Sequence, residues 1–284
     1  IFTSFYFPEK KEIGIFLGSL VERILSLHCE ELKLSVEELR TASKVFKDII
    51  LKCRHWGAVE GCCVGFTKFC RALLSSSDPD IRQIPSLMLQ QGALETAAND
   101  LHDATLLLHP ALYPVLTLLS KLQPGAEKQT RALSEFLPPL LLLSASPVYG
   151  VRVMSSKALV AMIPTSEYMA TVLQLVKDLP ESPDVVSCHN RLHGKLLQTR
   201  AILTRALRSS VEVVDVFESR LWLGSSKQRC PLVRQSYVDI VRLIRGHCSA
   251  GFLSQLSSQL LHEIQRTPDI LEVLFSPAIN MRFQ

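Results

Sequence analysis

A proline-initiated amphipathic segment, which recurs along the chain, is the feature that most constrains the fold. It covers residues 144–164, where Pro147 follows a serine and opens a run with helical periodicity. Proline is tolerated in the first turn of a helix because its missing N–H would have no partner there. Apolar residues at helical spacing between Val151 and Met162 predict one buried stripe. The opposite, polar face is predicted to hold Arg152, Ser155, Ser156 and Lys157.

The same motif returns at spacings that are typical of a repeat protein. Ser-Pro-Val-Tyr-Gly-Val-Arg at 146–152 is echoed by Ser-Pro-Ala-Ile-Asn-Met-Arg at 276–282, which lies 130 residues further on. That distance is about three periods of a HEAT or armadillo repeat. Looser echoes occur at 230–234 and 78–82, and a helix beginning near Asn190 falls midway between two copies. The sequence therefore predicts an all-α fold, an α-solenoid of HEAT/armadillo-type helical hairpins.

Composition is consistent with a continuous apolar core, since 47% of the 284 residues are hydrophobic and 20% are charged. At about 40 residues a hairpin, residues 1–284 are predicted to form a single elongated segment of roughly six to seven hairpins. The chain starts at Ile1 and stops just after a copy of the motif, so we expect an internal fragment of a longer solenoid. Helices are predicted over 11–29, 36–53, 57–74, 87–108, 112–122, 131–143, 151–162, 167–177, 190–207, 212–222, 233–247 and 253–265.

The cysteines and the apolar runs bear on the cellular compartment and on metal binding. Eight cysteines are scattered, without a Cys-x-x-Cys pair, which is typical of small buried thiols in a reducing compartment. This pattern favours the cytoplasm or the nucleus, and we predict a cytoplasmic protein. No apolar run is long enough to predict a membrane span. Cys188, His189 and His193 offer three ligands at most, whereas a closed zinc site needs four. We therefore predict no metal site.

Catalytic motifs are absent from the sequence. It contains no phosphate-binding loop of the Gly-x-x-x-x-Gly-Lys type, no Gly-x-Gly-x-x-Gly turn, no His-Glu-x-x-His and no Gly-x-Ser-x-Gly elbow. Neighbouring Cys and His residues, such as His28 and Cys29, point to different faces of a helix and do not form a pair. The sequence predicts no catalytic residue, no bound cofactor and no enzymatic activity.

Basic residues are concentrated in one part of the chain. Residues 188–248 carry a net charge of +7, while the whole chain carries +4. At about 100° per residue, Arg191, Lys195 and Arg205 fall on one stripe of the helix predicted over 190–207. This stripe is expected to face outward, where it would suit contact with phosphates. An ordinary solvated helix face is the alternative interpretation.

Three segments resemble blocks of the thyroid adenoma-associated protein family. They are Arg-His-Trp-Gly-Ala-Val-Glu at 54–60, Ser-Pro-Val-Tyr-Gly-Val-Arg at 146–152 with Ala-Leu-Val at 158–160, and Asn-Arg-Leu-His-Gly-Lys-Leu-Leu-Gln at 190–198. The last block is the most distinctive. A further block of this family, Arg-Arg-Ser-Ala-Gly-Leu-Pro, is missing, and the corresponding interval offers only Ile-Arg-Gln-Ile-Pro at 81–85.

The resemblance implies a scaffold without an active site of its own. Such a scaffold would bind tRNA and an FtsJ-type methyltransferase, which methylates a ribose 2'-hydroxyl in the anticodon loop. S-adenosylmethionine would belong to that partner. The alternative is a general protein-interaction platform, for example one that binds an ER calcium pump in metabolic regulation. The resemblance and the charge pattern together give six candidates for contact with RNA or a partner, which are Arg191, Lys195, Arg205, Arg54, Arg152 and His193.

Overall fold

The computed structural model describes residues 34–52, 56–89, 112–122, 133–206 and 211–265, together with isolated positions between 12 and 23. Within these residues the regular elements are helices and no strand occurs, which confirms the prediction of an all-α helical solenoid. The helices are α1 (Val36–Lys52), α2 (Trp56–Ser75), α3 (Pro79–Leu89), α4 (Leu112–Lys121), α5 (Leu137–Leu143), α6 (Tyr149–Met162), α7 (Tyr168–Lys177), α8 (His189–Arg205), α9 (Val211–Ser219), α10 (Pro231–Ile244) and α11 (Ala250–Gln265).

The chain divides into two compact units, one up to Tyr168 and one from Met169 onward. In the first unit α1, α2 and α3 pack on one another, α2 packs on α4, and α4 and α5 both pack on α6. Three buried phenylalanines, Phe46, Phe66 and Phe69, hold α1 to α2, with ring centroids 5.3 to 6.0 Å apart. The predictions of one elongated segment and of the number of hairpins stay predictions.

The second unit is built around α10. Helix α8 packs against α10, and a short 3-10 helix, Leu221–Gly224, packs against both α10 and α11. Tyr237 of α10 is fully buried, its hydroxyl donates to the carbonyl oxygen of Phe217 at 2.6 Å, and the two rings lie 5.7 Å apart. This tyrosine therefore joins α9 to α10.

The start of α1 shows how local sequence sets a helix boundary. Ser35 and Glu38 form a capping box, in which the Glu38 N–H donates to the Ser35 hydroxyl and the Ser35 N–H donates to Glu38 Oε2 at 2.7 Å. The Ser35 hydroxyl also donates to Glu38 Oε2, at 2.8 Å, and the bonds from the Ser35 backbone and side chain to this carboxylate lower the pKa of Glu38. The carboxylate is thereby kept ionised at the positive end of the helix.

Most predicted helices agree with the structure to within a few residues, but α3 was missed. The sequence analysis predicted no helix between residues 74 and 87, whereas the helix runs over Pro79–Leu89 with Pro85 inside it. Proline inside a helix removes one backbone hydrogen bond, and this argues against a helix from sequence alone. The predicted helices over 11–29 and 87–108 lie mostly outside the described residues.

The predicted polar face of α6 is also wrong. Arg152, Ser155 and Ser156 are buried, with 3%, 0% and 2% exposure. The two serine hydroxyls donate to the carbonyl oxygen of Arg152, at 3.1 and 2.7 Å, so their polarity is satisfied inside the helix. Of the predicted polar face, only Lys157 is exposed. Helix α6 is buried on most of its surface because α4 and α5 both pack against it.

Among the described residues, no single helix has the length and the apolar character that crossing a bilayer requires. Helix α6 and the following stretch, Thr165–Lys177, meet the length and hydropathy criteria when they are counted together, but the chain bends between them. In α6, nine of the helical residues are buried within the protein.

Gly224 ends the 3-10 helix where the chain passes close to α10 and α11. A Cβ atom at this position would lie 2.9 Å from Tyr237 Cδ1 and 3.1 Å from Leu256 Cδ1. We therefore expect Gly224→Ala to lower the free energy of unfolding by about 1–3 kcal/mol, measured by urea denaturation. Gly251→Ala in α11 is the matched control, because nothing lies within 4 Å of its Cβ position. It should be neutral or stabilising by up to about 1 kcal/mol, and equal losses would contradict the prediction.

Candidate nucleic-acid interface

Helix α6 begins at a corner that two side chains stabilise. The hydroxyl oxygen of Ser146, which is fully buried, accepts the N–H of Val148 at 3.2 Å. The Arg152 guanidinium reaches back, and its Nη1 donates to the carbonyl oxygens of Ser146 at 2.6 Å and Pro147 at 3.0 Å. Its Cζ also lies 5.9 Å from the centre of the Tyr149 ring. The structure therefore places this candidate residue inside the corner.

Helix α3 begins at a second corner with the same arrangement, 70 residues earlier in the chain. Here Ser76 accepts the N–H of Asp78 at 3.2 Å through its hydroxyl oxygen. Arg82 Nη1 donates to the carbonyl oxygens of Ser76 at 2.8 Å and Ser77 at 2.7 Å. The weak sequence echo at 78–82 thus corresponds to a structural repeat.

Helix α10 begins at a third corner, in which both side chains behave differently. Gln228 takes the place of the serine, and its Oε1 accepts the N–H of Cys230 at 3.0 Å. Arg234 Nη1 instead contacts Oε2 of Glu263 in α11, at 2.7 Å. The Gln228 side chain is 1% exposed, and its Nε2 has no hydrogen-bond partner in the described part of the chain. Buried amide groups in proteins almost always have a partner, so this Nε2 is unusual.

The predicted basic stripe of α8 is interrupted. Arg191 and Arg205 are exposed near the two ends of the helix, about 21 Å apart along its axis at 1.5 Å per residue. Gln198 and Ile202 lie on the same stripe between Lys195 and Arg205, and both are buried. The prediction that this stripe faces outward is therefore wrong for its middle part. The physical reason is that α8 packs against α10, which the periodicity of α8 alone does not show.

The remaining sequence candidates have different environments. Lys195 Nζ lies 3.0 Å from Asp178 Oδ2, and its side chain is 21% exposed. His193 is 2% exposed. Arg54 lies outside the described residues. Cys188 and His189 are exposed while His193 is buried, and the described residues hold no group of three or more ligands that could bind a metal ion.

Other cations of the basic segment are occupied by contacts within the protein. Arg200 forms an ion pair with Asp239, which links α8 to α10. Arg220 donates to the carbonyl oxygens of Leu179 and Val216, at 3.3 Å each. A partly exposed ion pair such as Arg200–Asp239 contributes little stability, but it neutralises charge that would otherwise attract an anion.

Besides Lys177 at the end of α7, six exposed lysines and arginines of the second unit make no ion pair with another described residue. Four of them were counted in the basic segment but not singled out by the sequence, because their positions relative to α10 are known only from the structure. They fall into two sets according to the helix end they flank. The N-terminal cation set comprises Arg191, Lys227 and Arg229, and the C-terminal cation set comprises Arg205, Arg242 and Arg245.

Comparison with protein families gives two overlapping matches. Residues 1–105 match the model described as THADA/TRM732, DUF2428, and residues 82–202 match the model described as Trm732, C-terminal TPR repeats. The two matches together cover residues 1–202 of this chain. No solved structure matches the chain significantly.

Curated relatives agree with the family matches. The chicken protein named "tRNA (32-2'-O)-methyltransferase regulator THADA" is 33% identical over 184 residues, which are 58% of this chain and 9% of the relative. The mouse protein of that name is 30% identical over 151 residues, 48% of this chain and 8% of the relative. The fission yeast regulator trm732 is 31% identical over 97 residues, 33% of this chain and 6% of the relative. The chain spans less than a tenth of the length of these relatives. On both kinds of match, the chain belongs to the THADA/Trm732 family.

Proposed function

We propose that this chain is part of a non-catalytic regulator of an FtsJ-type tRNA 2'-O-ribose methyltransferase. The observation that carries the proposal is the name shared by its relatives, tRNA (32-2'-O)-methyltransferase regulator. In this proposal the regulator acts in the cytoplasm, and the partner enzyme holds S-adenosylmethionine and the catalytic groups. The relatives' names give no support to an ER calcium pump as partner.

The architecture supports a role in positioning a partner. Stacked helical hairpins present extended surfaces, which repeat proteins use for binding. The N-terminal and C-terminal cation sets of the second unit supply positive charge that no described carboxylate neutralises. Such charge attracts polyanions, with an affinity that falls as salt rises. The scaffold would therefore hold tRNA near the partner enzyme.

Loss of the protein tests this proposal directly. Disrupting its gene in the cells that express it should abolish or strongly reduce 2'-O-methylation at tRNA position 32, the position that the relatives' names give. Mass spectrometry of purified tRNA measures the modification, and re-expression of the wild-type gene is the control. Unchanged methylation at position 32 would overturn the proposal.

The amount of the methyltransferase distinguishes regulation from protection of the enzyme. If the protein regulates activity, methylation should fall while the level of the enzyme, measured by quantitative immunoblot, stays the same. A parallel loss of the enzyme itself would show that the scaffold only prevents its degradation. That result would contradict a regulatory role.

A further inference from the structure

We propose that the N-terminal ends of α8 and α10 form one edge of the second unit that binds the phosphodiester backbone of tRNA. The N-terminal cation set, Arg191, Lys227 and Arg229, supplies the charge. This inference rests on the proposed function, because it names the surface through which the regulator would hold its RNA. It replaces the stripe along α8 that the sequence predicted.

The two helix ends lie at the same edge because α8 and α10 are equivalent helices of successive repeats. They begin 42 residues apart, at His189 and Pro231, and they pack on each other. Equivalent helices of a repeat stack run in the same direction. The Arg200–Asp239 ion pair joins the twelfth residue of α8 to the ninth of α10, which agrees with that register. Arg191 lies in the first turn of α8, and Lys227 and Arg229 lie just before α10.

Helix electrostatics make the N-terminal cation set unfavourable for the fold by itself. The N-terminus of a helix carries partial positive charge, which acidic side chains normally offset. Helices α1, α3 and α9 have such acids in their first turns, whereas α8 and α10, like the other helices described, have none. Neither the N-cap Cys188 nor the N-cap Cys230 makes a side-chain capping hydrogen bond. Exposed cations are therefore added to two positive ends that have no first-turn acid and no hydrogen bond from the N-cap side chain, and a bound phosphate would offset this charge.

Gln228 is an independent sign of a missing acceptor at this edge. Its Oε1 accepts the N–H of Cys230, so the amide group lies at the start of α10. The Nε2 of the same amide is buried and has no acceptor among the described residues. The equivalent residues of the other two corners, Ser76 and Ser146, have a hydroxyl group in place of this amide. Lys227 and Arg229 precede and follow Gln228 in the chain and are exposed, so the donor without a partner belongs to the same short segment as two exposed cations.

The C-terminal cation set has a structural explanation and serves as an internal contrast. Arg205 ends α8, and Arg242 and Arg245 lie at the end of α10. Cations stabilise the C-terminal end of a helix, where the partial charge is negative. The same partial charge repels phosphate. The two sets carry equal charge, but only the N-terminal one is placed for an anion.

Two triple variants of the 284-residue chain test the proposal. One is Arg191→Gln, Lys227→Gln and Arg229→Gln, and the other is Arg205→Gln, Arg242→Gln and Arg245→Gln. Each removes three positive charges, so the net charge is matched. Binding of unmodified tRNA transcript is measured by fluorescence anisotropy across a salt titration. Three lost phosphate contacts should reduce the slope of log K against log salt by about 2 to 3 for the N-terminal triple.

The C-terminal triple should keep the wild-type slope to within about 1. Equal loss of slope in both triples would overturn the proposal, because it would show that only net charge matters. An unchanged slope in the N-terminal triple would also overturn it. Competition by poly-glutamate as strong as that by tRNA would show that the edge binds acidic proteins instead.

Thermal unfolding separates binding from a structural role. Removing cations from the positive ends of two helices should leave the melting temperature unchanged or raise it, whereas a structural role predicts a lower one.

Different results would contradict the proposed function and the proposed RNA-binding edge. If the N-terminal triple variant loses tRNA binding but gene disruption leaves methylation unchanged, the RNA-binding edge stands and the proposed regulatory function is rejected. If gene disruption abolishes methylation but both triple variants bind tRNA equally, the regulatory function stands and the proposed RNA-binding edge is rejected.

Discussion

Replacing Arg152 by methionine is expected to lower the free energy of unfolding by about 2–4 kcal/mol. The substitution keeps most of the side-chain volume but leaves the carbonyl oxygens of Ser146 and Pro147 without their charged donor. Hydrogen bonds to charged groups contribute about 1.5–3 kcal/mol each, and a buried acceptor left unpaired costs more than the bond itself is worth. The estimate stays below the sum because the buried guanidinium also carries a desolvation cost that disappears with it.

Two other variants sharpen the measurement, which is urea denaturation followed by circular dichroism. Arg152→Lys keeps the charge but has a single ammonium group, and should recover only part of the loss. Arg234→Met removes the equivalent arginine of the third corner. Its ion pair with Glu263 is partly exposed, so we expect a cost of about 1 kcal/mol or less. A cost for Arg234→Met as large as that for Arg152→Met would contradict the assignment of Arg152 as the residue that holds its corner.

Replacing Tyr237 by alanine is expected to destabilise the second unit by about 3–5 kcal/mol, the range for deletion of a buried aromatic ring. The ring is fully buried between Phe217 and the chain at Gly224, and its hydroxyl donates to the Phe217 carbonyl oxygen. Tyr237→Phe isolates the hydrogen bond and should cost about 1–2 kcal/mol. If Tyr237→Phe were neutral in urea denaturation, the hydrogen bond to Phe217 would have no net effect on stability.

Tyr237 also gives stability a dependence on alkaline pH. Burial, together with nearby Cys248 and Glu218, raises the pKa of Tyr237 above its usual value. Its contribution to stability is therefore complete below the pKa of the unfolded chain, near 10, and is lost as pH rises further. Between about pH 10 and pH 11 the wild type should lose more stability than Tyr237→Phe. Parallel loss in both proteins would show that other groups dominate in this range.

Helix starts were the part of the fold that the sequence predicted well. The motif at 146–152 fixes where a helix begins because proline or an extended N-cap residue stops the chain from continuing a helix backward. Helices α6 and α10 accordingly begin at the expected places, within two residues. Helix α3 was missed because no helix was predicted between residues 74 and 87, and Pro85 lies inside it. A proline inside a helix is tolerated when packing stabilises the rest of it, and α3 packs against both α1 and α2.

The sequence predicted less well which polar side chains are exposed, because packing between helices buries some of them. Periodicity on one helix predicts two faces, but a helix in a stack has neighbours on more than one side. Arg152 and His193 are polar in sequence and buried in the structure for this reason. The sequence also cannot tell which cations meet carboxylates. Lys195 and Arg200 are engaged by Asp178 and Asp239, whose distances in the sequence differ, while Arg229 is not engaged by any described acid.

The three corners have one further implication for the way such repeats are joined. In two of them the motif's arginine is used locally, since it holds the turn from which its own helix starts. In the third, the same position contributes to the next helix through Glu263, and a longer residue, Gln228, replaces serine at the turn. An arginine at this position thus either stabilises the turn before its own helix or links that helix to the next one. The sequence of the motif alone therefore does not tell which of the two uses a given copy serves.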